Sequence, residues 1–365
     1  MSELTYLIGA GASAGQRNLQ GERISGVPVV CEIAGAIEKE IEKLLSFSSP
    51  FADFNAGEYE LTESQCTELI SALRRLQAAS SDKETIDHYA KELLLLKQID
   101  TTCGVDSNNP YKYLKRLLAI FILMVQNKDT YDKRYEIFLQ EVLTLEKKLP
   151  YLTMLSWNYD AQFELAYANY TENKYILQMW DKINVYNKTC STNFRENNPF
   201  ALIKLNGTAF FRDYRRKTSE FKAYYIVPDI FYGGYGPKDR YSFFYDMLTQ
   251  YFQECTLSYA WEEDSLPELL DVVRQRVCDT KMLVVIGYSF PKFNKTVDKK
   301  IFEAMPSLRN VVIQDRNEAS CNEVEKHIRC LVKSDDISYE HVTDTSKFYV
   351  PYEFDLDNQQ EKYVW

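Results

Sequence analysis

The sequence predicts an α/β protein: a Rossmann-like, doubly wound and mostly parallel sheet that carries a large helical insertion. Three observations lead there. An apolar run near the start breaks into Gly9, Gly11 and Gly15, helical periodicity then holds over residues 33–149, and from Pro150 apolar runs alternate with helical segments. Strands alternating with helices argue for a parallel sheet covered on both faces.

The opening YLIGAGASAG, Tyr6 to Gly15, reads as a buried strand feeding a tight loop poor in side chains. Such a loop lets backbone N–H groups approach phosphates. A dinucleotide fingerprint runs G-x-G-x-x-G into an apolar helix. Here the third glycine comes one position late, and a polar arm from Gln16 to Glu22 and then Gly26-Val27-Pro28 follow. A plain strand-to-helix turn is the alternative for this loop.

Helical segments are expected over Ile33 to Phe47, Thr62 to Ala79, Lys83 to Ile99, Tyr111 to Gln126 and Tyr131 to Leu149, with breaks at Ser48-Ser49-Pro50 and Asn108-Asn109-Pro110. After Pro150, strands are expected at Thr153 to Trp157, Lys174 to Met179, Ala201 to Gly207, Lys222 to Val227, Lys281 to Tyr288 and Asn310 to Asp315. Helices are expected at Ala161 to Asn169, Ser242 to Cys255, Leu266 to Val277 and Asn294 to Ala304. Residues 1–32 and 150–335 are thus expected to form one discontinuous Rossmann-like domain, 33–149 a helical insert, and 336–365 an acidic, aromatic C-terminal tail.

Composition narrows the function classes. With 365 residues, 45% of them hydrophobic and 26% charged, the chain is long enough for about two domains and a sizeable core. The longest uncharged apolar run, Leu117 to Val125, is flanked by Lys115, Arg116 and Lys128 and is too short to cross a bilayer. No signal peptide is read at the N-terminus, so a cytoplasmic location is expected. A net charge of −10 disfavours direct nucleic-acid binding, which scales with the cations available to displace counterions. The local basic cluster Arg212, Arg215, Arg216 and Lys217 suits an anionic ligand, a partner or simply a solvated loop. Eight cysteines without one C-x-x-C pair, and only three histidines, provide no structural zinc site. The cysteines are expected to pack as small hydrophobes in a reducing compartment.

Ligands of doubly wound sheets bind outside the carboxyl ends of the strands. Five strand exits carry small or hydrogen-bonding residues: Gly9 to Ser13, Asn158-Tyr159-Asp160, Asn206-Gly207-Thr208, Gly287-Tyr288-Ser289 and Gln314-Asp315. Their convergence favours a nucleotide with several polar handles. Asn158 and Asp160, directly before a helix, are also what an N-cap demands.

In order, GAGAS, GVP, WNYD, KLNG, GYS and VVIQ resemble the sirtuin family, with its GAG-x-S loop, GIP segment, N-x-D, K-x-HG, G-x-S and late polar-ended strand. The resemblance spans Leu4 to about Asp315, outside the insert and tail. It implies that Gly9, Gly11, Ala12 and Ser13 cradle the pyrophosphate of NAD, and that Asn158 and Asp160 hold the nicotinamide ribose and amide. Ser289 and Gln314 would meet the adenosine half, and Gly287 would also contact the NAD.

The chain departs from the deacylase sirtuins in lacking the four-cysteine zinc module and in reading Val29-Val30-Cys31 where D-F-R normally follows GIP, and its large helical insert without a zinc module is similar to the sirtuin-like NAD hydrolases of bacterial anti-phage defence. Some of those assemble with a HerA-family hexameric ATPase or accompany short Argonaute proteins. The resemblance therefore implies an NAD glycohydrolase that uses NAD as substrate, needs no metal, forms a homo-oligomer and is regulated by a partner. One departure touches the chemistry. The family's catalytic histidine is Asn206 here, and an amide does not accept a proton near neutral pH. A positioned acid or base is worth about 10²–10⁴-fold in rate. Another base, such as Asp160 or a tyrosine, is one resolution, and a catalytically weakened NAD or ADP-ribose sensor or scaffold is the other. His88, in the insert, reads as a helix-surface residue.

Overall fold

A computed structural model describes residues 3–47, 61–81, 85–99, 109–126, 130–143, 151–172, 176–187, 194–213, 224–226, 237–249, 253–259, 262, 266–332 and 336–351. In chain order the elements are β1 Leu4–Ile8, α1 Ile33–Phe47, α2 Glu63–Ser81, α3 Ile86–Ile99, α4 Pro110–Val125, α5 Lys133–Val142, β2 Leu152–Ser156, α6 Gln162–Thr171, α7 Ile176–Lys182 and β3 Val185–Asn187. Then come β4 Phe200–Lys204, β5 Gly207–Asp213, β6 Tyr224–Ile226, α8 Pro237–Thr249, β7 Gln253–Leu257, α9 Leu266–Val277, β8 Met282–Ile286, α10 Lys295–Glu303, β9 Asn310–Gln314, α11 Glu318–Leu331 and β10 Ser338–Val342.

Seven strands form one sheet in the order β10-β9-β8-β1-β2-β4-β3, with every neighbouring pair parallel. The α/β, Rossmann-like architecture expected from the alternation is therefore present. β1, β2 and β4 are buried along their whole length, as strands covered on both faces must be. On one face Leu7, Leu155, Ile203 and Val285 pack with Val273 of α9, Ile301 of α10 and Ile328 of α11. On the other, Tyr6 meets Phe138 of α5 edge-on at 5.3 Å, and Phe163 of α6 stacks on Phe200 at 5.6 Å.

The chain divides into two compact units. The first comprises Met1–Gly26, Thr130–Gly207 and Ser258–Trp365 and contains the large sheet. The second comprises Val27–Asp129 and Thr208–Leu257 and contains α1 to α4, α8 and the three-stranded sheet β6-β5-β7. This division differs from the expected one in four places, the first being residues 27–32, which fall in the second unit. Residues 130–143 belong with the large sheet rather than the insertion, because Tyr135 and Phe138 of α5 bury against it. Residues 208–257 leave the large-sheet unit. The tail beginning at 336 opens with β10, which pairs in parallel with β9, and its last residues, 352–365, lie outside the described residues.

Two elements differ in type from expectation. Lys174 to Met179, read as a strand, overlaps α7, in which Met179 and Trp180 are buried, as is Ile183 directly after it. Positions three and four apart share a helix side, as Trp180 and Met179 do with Ile183, whereas consecutive strand residues face opposite ways. The helix expected over Ser242 to Cys255 ends at Thr249, and Gln253–Leu257 forms β7, where Thr256 Oγ1 donates to the carbonyls of Thr208 and Phe210. α11 was not anticipated, although Asn317 caps it conventionally by accepting from Ser320 N at 2.9 Å. Among the described residues no helix is long and apolar enough to cross a membrane.

Candidate ligand site at the strand exits

The five strand exits singled out above follow β1, β2, β4, β8 and β9. These strands are contiguous in the sheet and parallel, so their carboxyl ends lie along one edge. Connections leave β1 toward β2 on one side, and β8 lies on its other side, which makes the β1/β8 gap a topological switch point where open sheets form crevices.

At that gap the β1 and β8 loops interlock. Gly9 N donates to Ile286 O at 3.0 Å, and Gly11 N to Gly287 O at 2.9 Å. A Cβ on Gly9 would stand 2.6 Å from Gly287 O. Ala12 N closes a 3-10 turn over Ala10–Ser13 by donating to Gly9 O at 2.9 Å. The N–H groups of Gly9, Gly11 and Ala12, expected to face a phosphate, are thus engaged within the protein. What the glycines supply here is close approach between two strand exits.

A polar cluster sits against this junction. Asn158, after β2, donates from Nδ2 to Gly9 O and to Ser13 Oγ, both at 3.0 Å. Gly9 O can only accept, so the amide orientation is determined and Oδ1 is the atom left to meet a ligand. Ser13 Oγ is also 3.0 Å from the Tyr135 hydroxyl. Asp160 accepts from Gln162 N at 3.1 Å, which is the capping role the sequence allowed. It is buried, and burial raises its pKa against the opposing pull of Lys204. Lys204 is itself buried. Its Nζ donates to Asp160 O at 2.6 Å and pairs with Glu164 at 3.2 Å, while burial raises the Glu164 carboxyl as well. One cation therefore serves two enclosed carboxyl groups.

Segment 130–136 braces the loop. Asp132 is fully enclosed and accepts from Gly15 N at 2.9 Å and from Arg134 Nη2 at 2.6 Å. Arg134 Nη2 also reaches the carbonyls of Gly11 and Ala12, each at 3.2 Å. Sequence reasoning missed Asp132, Arg134, Tyr135, Lys204 and Glu164. The only local signal was Asp132 ahead of an apolar-periodic helix, an N-cap pattern that its bond to Arg134 N realises.

The remaining expected residues are distributed around the junction. Asn206 is buried and donates from Nδ2 to Trp157 O at 3.0 Å, so the amide in the family's histidine position is held against the β2 exit. Ser289 is exposed beyond β8. Gln314 is buried, and its amide holds the backbone of the C-terminal segment: Nε2 donates to Asp344 O at 2.6 Å and Lys347 O at 2.7 Å, and Oε1 accepts from Tyr349 N at 2.9 Å. His88 lies exposed on α3 in the second unit, 3.5 Å from Glu92. Arg215, Arg216 and Lys217 of the basic cluster lie outside the described residues, as does the Arg212 side chain. Cys66 and Cys321 are buried as expected of small hydrophobes, but Cys31 and Cys330 are exposed. Among the described residues no group of His, Cys, Asp or Glu could hold a metal ion.

Behind the β8 exit, Tyr288 stacks on Trp157 at 5.6 Å and donates its hydroxyl to Asp298, 3.0 Å from Oδ2. Burial pushes the Asp298 carboxyl up to about 8, with the Tyr288 hydroxyl and Trp157 indole N–H partly opposing. A folded pKa above the unfolded value of about 3.9 favours the folded state most below pH 4, and that advantage is lost as pH rises toward 8 at about 1.4 kcal/mol per unit. Asp298→Asn is therefore expected to melt higher than the parent at pH 8 and to show a smaller fall in Tm between pH 5 and pH 8. Parallel pH profiles for the two proteins would show that Asp298 does not titrate in this way.

No protein-family model matches the chain, and no curated protein is significantly similar to it.

Proposed function

We propose that the chain is a sirtuin-like NAD hydrolase, which cleaves NAD to nicotinamide and ADP-ribose in bacterial anti-phage defence under the control of an assembly partner. The observation that carries this reading is the convergence of Asn158, Ser13 and the buried carboxyl Asp160 on the interlocked β1/β8 exits. The motifs brought together are the ones whose order resembles the sirtuins.

Breaking the bond between nicotinamide and ribose leaves positive charge on the sugar, and water then adds and loses a proton. Asn158 Oδ1 is an acceptor suited to a ribose hydroxyl or to the carboxamide N–H. Asp160, when ionised, opposes the developing cation in an enclosed site where charge interactions are strong. Its raised pKa brings it nearer to neutrality, which makes it a better acceptor of the water's proton than an ordinary carboxylate. Tyr135 does not suit that role, because burial and the Asp160 charge hold its phenol well above the usual range.

The test is release of nicotinamide from NAD by the purified protein, alone and with whatever protein copurifies. Asn158→Ala is expected to lower kcat about 100-fold or more. Turnover retained in that variant would remove Asn158 from the site. A second reading, a subunit that binds NAD or ADP-ribose without cleaving it, draws on Asn206, whose amide is no base and is tied to Trp157 O. Under that reading NAD binds tightly without product, and Asn206→His introduces cleavage.

A further inference from the structure

We infer that Tyr135 is a positioning residue of this site: its hydroxyl locks the Ser13 side chain, and Ser13 in turn holds the Asn158 amide with Oδ1 toward the ligand. The role in catalysis rests on the NAD-cleaving reading; the hydrogen-bonded chain itself does not.

Counting hydrogens carries the argument. Asn158 Nδ2 has two, spent on Gly9 O and Ser13 Oγ. Ser13 Oγ, having accepted one, retains a lone pair and its own hydrogen. The Tyr135 residue is 2% exposed, and among the described residues its hydroxyl has Ser13 Oγ as polar partner at 3.0 Å. A buried phenol hydrogen without an acceptor is costly, so Tyr135 donates to Ser13 rather than the reverse. Both lone pairs of Ser13 are then filled, and its own hydrogen is left for Asp160, whose ionised form it favours. The raised Tyr135 pKa keeps the phenol a donor. Packing aims the ring: Tyr135 meets Phe163 edge-on at 6.1 Å and Phe348 of the C-terminal segment at 4.8 Å.

Tyr135→Phe keeps that packing and removes only the donor. Ser13 can then rotate, and the Asn158 amide keeps only one of its two anchors, the bond to Gly9 O, so that Oδ1 is held less rigidly toward the ligand. The expected result is a fall of about 100-fold in kcat for NAD cleavage with KM little changed. Ser13→Ala should behave alike, and the double variant should be no worse than either single one, because a chain broken at one link gains nothing from a second break. Additive losses, an unchanged kcat, or a lowered Tm with full activity in the folded fraction would each overturn the assignment.

A second readout does not depend on turnover. Exchange of the Asn158 side-chain amide hydrogens, followed by ¹⁵N NMR, is expected to accelerate about tenfold in Tyr135→Phe and in Ser13→Ala. Exchange unchanged from the parent protein overturns the positioning role. If the parent does not cleave NAD while exchange responds as expected, the hydrolase reading falls and the Tyr135–Ser13–Asn158 chain stands.

Discussion

Gly287→Ala is expected to destabilise the large-sheet unit by about 2–5 kcal/mol and to abolish the NAD binding proposed for the strand exits. Gly287 has φ +58°, in the left-handed region that costs a side-chain-bearing residue about 1–2 kcal/mol. The added Cβ would stand 2.5 Å from Ala12 N and from Gly11 Cα, both backbone atoms that cannot swing aside. Relief would require moving the β1 loop away from β8, which breaks the bond from Gly11 N to Gly287 O and shifts Gly9 O, the anchor of Asn158. Gly35→Ala supplies the control. Gly35 lies within α1, and nothing stands within 4 Å of its added Cβ, so that substitution should stabilise by about 0.5–1 kcal/mol. Chemical denaturation of both variants, with binding of NAD and ADP-ribose by calorimetry, makes the comparison. A Gly287→Ala protein as stable as the parent would mean that the two exits are not in tight contact.

Lys204→Met should cost about 3–5 kcal/mol, because it leaves Asp160 and Glu164 enclosed without their shared cation. The loss should depend on pH with a definite sign. Burial raises both carboxyl groups, and the Lys204 charge opposes that rise. Without the lysine both rise further above their unfolded values of about 3.9 and 4.3, so the folded state holds protons that the unfolded chain has released. The variant is then closest to the parent below about pH 4 and falls further behind as pH rises to neutrality. Urea titrations at pH 5 and pH 8 would show the deficit growing. An equal deficit at both values would mean that the carboxyl groups are stabilised by something other than Lys204.

Much of this site could be read from local pattern. Apolar runs ending in Gly9, Asn158, Asn206, Gly287 and Gln314 are short, uncharged except for Lys204, and bounded by turn residues, so they read as buried strands from sequence alone. Because parallel strands share one carboxyl edge, naming the exits amounted to naming the edge. Order and pairing were less legible. Met179 and Trp180 lie in a run short enough to suit either helix or strand, and only packing of α7 against α6 decided between them. β10 is a polar edge strand with an exposed and half-buried pattern, which carries no apolar run to announce it.

The amino-acid sequence by itself determined the α/β class, the principal strands of the parallel sheet and the set of exits that make up the candidate site, because each depends on residues within a few positions of one another. Tertiary structure alone decided that segment 130–143 belongs to the large-sheet unit. It also decided that Asp132, Arg134 and Tyr135 brace the glycine loop, that Lys204 balances two buried carboxyl groups, and that Gln314 holds the C-terminal segment. Those roles depend on which groups meet across tens of intervening residues or, as between Ser13 and Tyr135, more than a hundred, and on the burial that gives a charge or a hydroxyl its worth.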